Sequence, residues 1–255
     1  MAIHEWAALT FEDVRSLDRG RAVAVLPVGA IEAHGPHLPL ATDGLIAEAM
    51  ARAGALRLTS HGLEVVLLPV LPFATAPFAA AFPGTLSIRA QTVTALVLDL
   101  ARELTRQGFA ALAVASAHLD PAHRESLGAA SKAAEEEGLL PVVWPDLARK
   151  PWALMLTPEF QSGACHAGRF EGSVVLAVRP EWVREEVRVV LPPNERSLSK
   201  AIRDGARTFE EAGGPRAYFG TPGDATAEEG RATIETLGAI LADAVRAALP
   251  AARES

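Results

Sequence analysis

The chain is predicted to fold as an α/β protein, with a parallel sheet covered by helices on both faces. Two observations carry this. Apolar runs of strand length alternate along the chain with longer stretches of helical periodicity, which is the order of βαβ units. The runs are also continuous rather than alternating, as in strands buried on both sides. In order, 22–28 (AVAVLPV) reads as the first strand and 43–58 (DGLIAEAMARAGALRL) as a helix with Asp43 as its N-cap. Residues 64–70 (EVVLLPV) read as the second strand. The clearest amphipathic helix is 91–107, ended by Gly108, and 110–116 (AALAVAS) is the third strand. A helix over 121–137 starts with proline in its first turn, and 140–144 is the fourth strand. Residues 145–169 and 191–225 read as irregular, 227–249 as a long Ala-rich helix, and 253–255 as a frayed end. No linker or repeat interrupts the pattern, so 1–255 is expected to form one domain.

Composition narrows the function classes. At 255 residues, with 49% hydrophobic and 22% charged residues, the chain can bury a substantial core. A net charge of −7 argues against nucleic acid or anionic membrane as partner. One cysteine excludes a disulfide scaffold, and no apolar run is long enough to span a bilayer. With no signal-peptide pattern at the start, a cytoplasmic protein is expected.

In parallel sheets, sites form beyond the carboxyl ends of strands. Two clusters lie there. Residues 29–43 (GAIEAHGPHLPLATD) place Glu32, His34, His37 and Asp43 after the first strand. Residues 116–123 (SAHLDPAH) place His118 and Asp120 after the third. Imidazole with carboxylate suits Zn, Mn or Fe, and two such clusters on one sheet favour a metal site over a solvated loop. Asp120 also stands where it can cap the helix that begins at Pro121. In a third cluster, 165–173 (CHAGRFEGS), His166 fits a general acid/base and Glu171 a ligand or base. Cys165 is expected to be a buried, inert thiol, because sequence neighbours rarely present their side chains to each other. The Pro-Gly turn in 81–87 (AFPGTLS) reads as structural from its chemistry alone.

These segments together resemble the creatininase (creatinine amidohydrolase) family. Its PVGAxEQHGPHLPLxTD stretch is matched by 27–43 at nearly every position, its FPGT by 82–85, its HAGxxET by 166–172, and its GDPxxATAEKG by 220–230. The resemblance runs from about residue 5 to 249. It implies a three-layer α/β/α sandwich, usually hexameric, and hence a homo-oligomer. It also implies two divalent ions per chain, Zn and/or Mn or Fe. By resemblance Glu32 binds one ion, His34 the other, Asp43 bridges them, and His118 is a further ligand. Asp120 and Glu171 compete as the ligand that completes the shell of the second ion, and His166 is the acid/base. His37 and Thr85 are expected to bind substrate or support the ligands. The chain departs from the family in SAHLDPAH, where members carry NGHGGN or NGHYEN. It also lacks a histidine before FPGT, has Gly172 in place of the HAGxxET threonine, and has Ser162 in place of a tryptophan.

The implied reaction is hydrolysis of an amide C–N bond in a small molecule, such as a cyclic amide or formamide. Two ions would bring the pKa of a water from 15.7 towards ~7. His166, with an ordinary pKa near 6.5, would protonate the leaving nitrogen. Two alternatives stand beside this: a family peptidase acting in maturation of a peptide-derived redox cofactor, and a non-catalytic binding protein that keeps the fold.

Overall fold

The computed structural model describes residues 3–249; the frayed end expected at 253–255 lies outside them. Five strands form one sheet: β1 (Ile3–Glu5), β2 (Ala22–Pro27), β3 (Glu64–Leu67), β4 (Ala111–Ala115) and β5 (Val142–Val143). Their order is β1-β3-β2-β4-β5, and every pairing is parallel. The helices are α1 (Phe11–Ser16), α2 (Thr42–Ser60), α3 (Ala90–Arg106), α4 (Pro121–Glu136), α5 (Pro158–Ser162), α6 (Arg169–Val178), α7 (Glu185–Arg188), α8 (Leu198–Arg203) and α9 (Ala227–Ala248). None is long and apolar enough to cross a membrane.

The alternation of side chains along β2 divides the core in two. Val23 and Val25 face α2, α6 and α9, packing with Ile46, Met50, Val174, Leu237 and Leu241. Ala22, Ala24 and Leu26 face α3 and α4, packing with Val93, Val97, Leu127 and Ala130. Both faces of β2 are buried throughout, which is why its sequence reads as an unbroken apolar run. The result is three layers, helix on sheet on helix.

The chain leaves β2 towards β3 on one side and later returns to β4 on the other. The carboxyl ends of β2 and β4 are therefore a topological switch point, where the flanking connections diverge and leave a crevice.

Several expectations are corrected. The strands are shorter than the apolar runs that signal them. Asp43 is not the N-cap of α2; Ala41 holds that position with no capping side chain, and Asp43 lies buried in the first turn. The edge strand β1 was not anticipated, because three residues are too few to show a period. Helix α6 was also unanticipated, since Gly172, Ser173 and the β-branched Val174 and Val175 are weak helix formers. Packing on α2 and α9 overrides that weakness. The stretches read as irregular contain α5, α8 and short 3₁₀ turns at Trp152–Met155 and Pro222–Asp224.

Glycine is required where β2 meets α2. A Cβ on Gly29 would lie 2.3 Å from the Gly44 nitrogen and 2.7 Å from the Asp43 carbonyl carbon. These are backbone atoms that cannot swing aside. This close approach seats the first turn of α2, and with it Asp43, against the end of β2. We expect Gly29→Ala to lower the unfolding free energy by about 1–3 kcal/mol. Gly128→Ala on α4, whose Cβ would meet nothing nearer than 3.9 Å, should be neutral or stabilising. Denaturant titration of both variants checks this; equal midpoints would show that the two backbones part freely.

Candidate metal centre

The loop after β2 carries Glu32, His34 and His37, and backbone contacts hold it in shape. Glu32 N–H donates to the Leu40 carbonyl at 3.0 Å, and Leu86 N–H donates to the Ile31 carbonyl at 2.9 Å. Thr85 Oγ1 accepts the Ala33 N–H at 3.1 Å, so the Pro-Gly turn acts as a clasp on the loop. Asp43 enters from α2, His118 from the loop after β4, His166 from the approach to α6, and Glu171 from its first turn. All six of Glu32, His34, Asp43, His118, His166 and Glu171 are buried.

Their donor atoms converge. Three groups have ligand atoms within 4.8 Å of one another: Glu32, Asp43 and His118; His34, Asp43 and Glu171; and Glu32, His34 and His166. His118 Nδ1 lies 3.2 Å from Asp43 Oδ2 and 3.3 Å from Glu32 Oε1. His34 Nε2 lies 3.5 Å from both Asp43 Oδ1 and Glu171 Oε2, and 3.8 Å from Glu32 Oε1.

The other nitrogen of each ring faces a backbone carbonyl. His34 Nδ1 is 3.1 Å from the Glu32 carbonyl, His118 Nε2 is 2.9 Å from that of Thr75, and His166 Nε2 is 2.9 Å from that of Ala33. A carbonyl can only accept, so each of these nitrogens carries its proton. In the neutral ring the opposite nitrogen then presents a lone pair to the carboxylates. Locking of this kind is the usual support of metal-ligating histidines. Glu32 Oε2, Asp43 Oδ2 and His34 Nε2 are buried without a hydrogen-bond partner. Buried lone pairs facing buried carboxylates fit a divalent cation, and the mixed imidazole and carboxylate set fits ions of the Zn, Mn and Fe type.

Proton affinities report the same demand for positive charge. Burial alone would lower the His34 pKa, but Asp43, Glu171 and Glu32 outweigh it and push the ring up to about 10. His118 is likewise raised, by Glu32 and Asp43, against its burial. Burial pushes Glu171 up to about 8 and also raises Glu32. Asp43 is held well below the usual range because His118 and His34 overcome its burial.

His166 differs from its expected ordinary pKa. Burial and the neighbouring His34 hold it well below 6.5, so it is neutral. Phe209 stacks on its ring, with centroids 4.2 Å apart.

The remaining expected site residues lie around this set. Asp120 caps α4 by accepting the Ala122 N–H at 2.8 Å, and its other oxygen accepts the Phe78 N–H at 3.3 Å. It borders the cavity, but Glu171 is the carboxylate brought to His34 and Asp43. His37 is buried edge-on to Tyr218, and burial lowers its pKa to about 4. Neither His37 nor Thr85 lines the cavity. Cys165 is half-buried at the cavity wall rather than fully buried, and desolvation pushes its thiol up to about 12, which leaves it protonated and inert.

A cavity of about 380 Å³ opens onto Glu32, Asp43, His118, His166 and Glu171. Its walls are mainly apolar, with Phe78, Phe160, Leu198, Ile202 and Phe209. These wall residues come from distant segments and have no spacing signal in the sequence. Glu159 was also missed. Its carboxylate accepts the Phe170 N–H and the Thr221 N–H, each at 2.7 Å, and so anchors the start of the helix that carries Glu171. His123, seen in the sequence but given no role, is buried with Nε2 3.1 Å from Ser116 Oγ, and its ring packs 4.8 Å from that of His118.

Known proteins share this architecture. The family model described as creatininase, creatinine amidohydrolase, matches residues 7–245. A mycofactocin precursor peptide peptidase of Mycobacterium tuberculosis is 32% identical over 232 residues, covering 87% of this chain and 82% of that protein. A creatinine amidohydrolase of Pseudomonas putida is 29% identical over 189 residues, covering 68% of this chain and 71% of that protein. Among solved structures, a creatininase superposes with a TM-score of 0.73 at 26% identity, covering 96% of this chain and 98% of its own. A manganese creatininase superposes with the same score at 25% identity, covering 98% of this chain and all of its own. With a family model matched from residue 7 to residue 245, the chain belongs to the creatininase family.

Proposed function

We propose that this single-domain chain hydrolyses the C–N bond of a carboxylic amide in a small substrate, using two divalent ions, Zn and/or Mn or Fe. One observation carries the reading. Three buried histidines each give one ring N–H to a backbone carbonyl and turn the other nitrogen onto a shared carboxylate cluster: His34 onto Glu32, Asp43 and Glu171, His118 onto Glu32 and Asp43, and His166 onto Glu32. Glu32, Asp43 and His118 would hold one ion, and His34, Asp43 and Glu171 the other, with Asp43 common to both. Bound there, the ions supply Lewis-acid polarisation of the amide carbonyl and a water of lowered pKa.

The chain's own groups do the rest. The apolar walls exclude bulk water and strengthen every charge interaction inside the cavity. His166 is neutral, and its Nδ1, 3.8 Å from Glu32 Oε1, is free to accept a proton. It takes that proton as water adds to the carbonyl carbon and returns it to the nitrogen as the C–N bond breaks. The products are a carboxylic acid and an amine. Asp120 holds the loop before α4 through the Phe78 and Ala122 N–H groups, and Thr85 holds the loop of Glu32 and His34. His37, on the same loop, is buried edge-on to Tyr218 and supports the loop through packing.

A second reading, cleavage of a peptide rather than a small amide, is favoured by the 32% identity to a peptide peptidase over most of the chain. It uses the same centre. Exposed apolar residues such as Trp182, Val189 and Val190 support a homo-oligomer, and the family resemblance supports a hexamer. A cytoplasmic location accords with the single cysteine.

Four outcomes test the centre. Protein purified without chelator should hold about two ions per chain. Asp43→Ala should lose most of both, as read by elemental analysis, and full metal retention would remove Asp43 as a shared ligand; a non-catalytic relative with a decayed site would hold clearly fewer ions from the start. His166→Ala should keep its metal while turnover falls by about 10²–10⁴-fold; unchanged turnover takes His166 out of the reaction. A cation must also displace the proton that His34 holds up to about pH 10. Adding zinc to metal-free protein at pH 8 in weak buffer should therefore release protons, and affinity should fall as the pH is lowered. Uptake without proton release would show that His34 is not a ligand.

A further inference from the structure

From the charges lining the cavity we infer that Arg203 binds a carboxylate on the substrate. The preferred amide then carries a free carboxylate and an apolar side group, as in an N-acylated apolar amino acid or the end of a peptide chain. Helix α8 runs along the cavity and gives it Leu198, Ser199, Ile202 and Arg203. Leu198 and Ile202 form apolar wall, and Arg203 supplies a charge beside it.

The other charged groups of the cavity are already engaged. Glu32, Asp43 and Glu171 belong to the candidate metal centre. Asp120 has both oxygens on backbone N–H groups. Arg124 makes a two-pronged pair with Asp146, at 2.9 and 2.7 Å. Arg203 makes no ion pair or side-chain hydrogen bond among the described residues, and the nearby Asp204 is taken by Lys200. A free guanidinium beside an apolar wall is suited to a carboxylate, which it binds through two parallel hydrogen bonds. The apolar walls, with Phe78, Phe160 and Phe209, suit a side group of phenylalanine type. At about 380 Å³ the cavity is of a size to hold one small ligand.

This inference rests on the proposed hydrolysis for the identity of the reacting bond, but it can be tested apart from turnover. N-acetyl-L-phenylalanine and its neutral counterpart N-acetyl-L-phenylalaninol each contain one amide and differ only in the carboxylate. Calorimetry on zinc-loaded wild-type protein should show the acid binding about tenfold or more tighter than the alcohol. R203Q should abolish that preference without weakening the alcohol, and R203K should keep much of it. Metal content and melting temperature should match wild type in both variants, since Arg203 is exposed and has no ion pair or side-chain hydrogen bond among the described residues to lose. The inference is overturned if the acid fails to bind, if both probes bind wild type alike, or if R203Q keeps the preference, as it would with the carboxylate seated on the ions. A preference that depends on Arg203 without cleavage of either probe, or of other carboxylate-ended amides, would leave Arg203 as the anchor and overturn the hydrolysis. Cleavage of both probes with equal kcat/KM would do the reverse.

Discussion

Carboxylates do not share a buried space unless positive charge joins them. Glu32, Asp43 and Glu171 meet beneath His34 and His118 with almost no access to water, and desolvation there raises the cost of every negative charge. The rings cannot relieve the crowding as ordinary hydrogen-bond donors. Their outer nitrogens are committed to the carbonyls of Glu32 and Thr75. The inner nitrogens must therefore either hold extra protons, as the raised His34 and His118 affinities express, or share a cation with the carboxylates. Arrangements of this kind are costly for stability and are kept where they serve chemistry.

The fold makes this crowding attainable. Because β2 is central and connects in one direction while β4 lies on its other side, the loops after the two strands open into one crevice. Glu32 and His34 come from one loop and His118 from the other. The Gly29 and Gly44 backbones approach closely enough to lay the first turn of α2 across the crevice floor. That turn presents Asp43 to both histidines. Helix α6 then closes the set with Glu171, its start anchored by Glu159 and its body wedged between α2 and α9. Helices α2 and α6 thus fix the directions of Asp43 and Glu171, the loop between β4 and α4 carries His118, and the Thr85 clasp fixes the loop that carries Glu32 and His34.

His166 shows how the same surroundings separate roles. His34 and His118 each face two or more carboxylates and gain protons; His166 faces Glu32 alone among the described residues, at 3.8 Å, stacks on Phe209, and loses them. One ring type thereby provides both proton-rich and neutral imidazoles in a single buried cluster. The apolar wall beyond it, with Arg203 at its edge, is where selection among amides takes place in this reading.

Much of this was legible in residue order. Continuous β-branched runs mark strands buried on both faces, because burial leaves no polar side to alternate with. Dense groups of histidine and carboxylate directly after two such runs mark the crevice, since parallel strands deliver their following loops to one edge of the sheet. The edge strand β1 and helix α6 escaped notice because one is too short to have a period and the other is built from weak helix formers held by their neighbours. The choice between Asp120 and Glu171 was open in the sequence for a related reason. Both are acidic and stand near a histidine, but whether an oxygen caps a helix or joins a cluster depends on distances between segments about fifty residues apart. Side-chain chemistry and local periodicity are properties of neighbouring residues, so the linear chain carries them. Ring tautomers, shared ligands and an arginine left without a partner are properties of packing, and they exist only once distant segments meet.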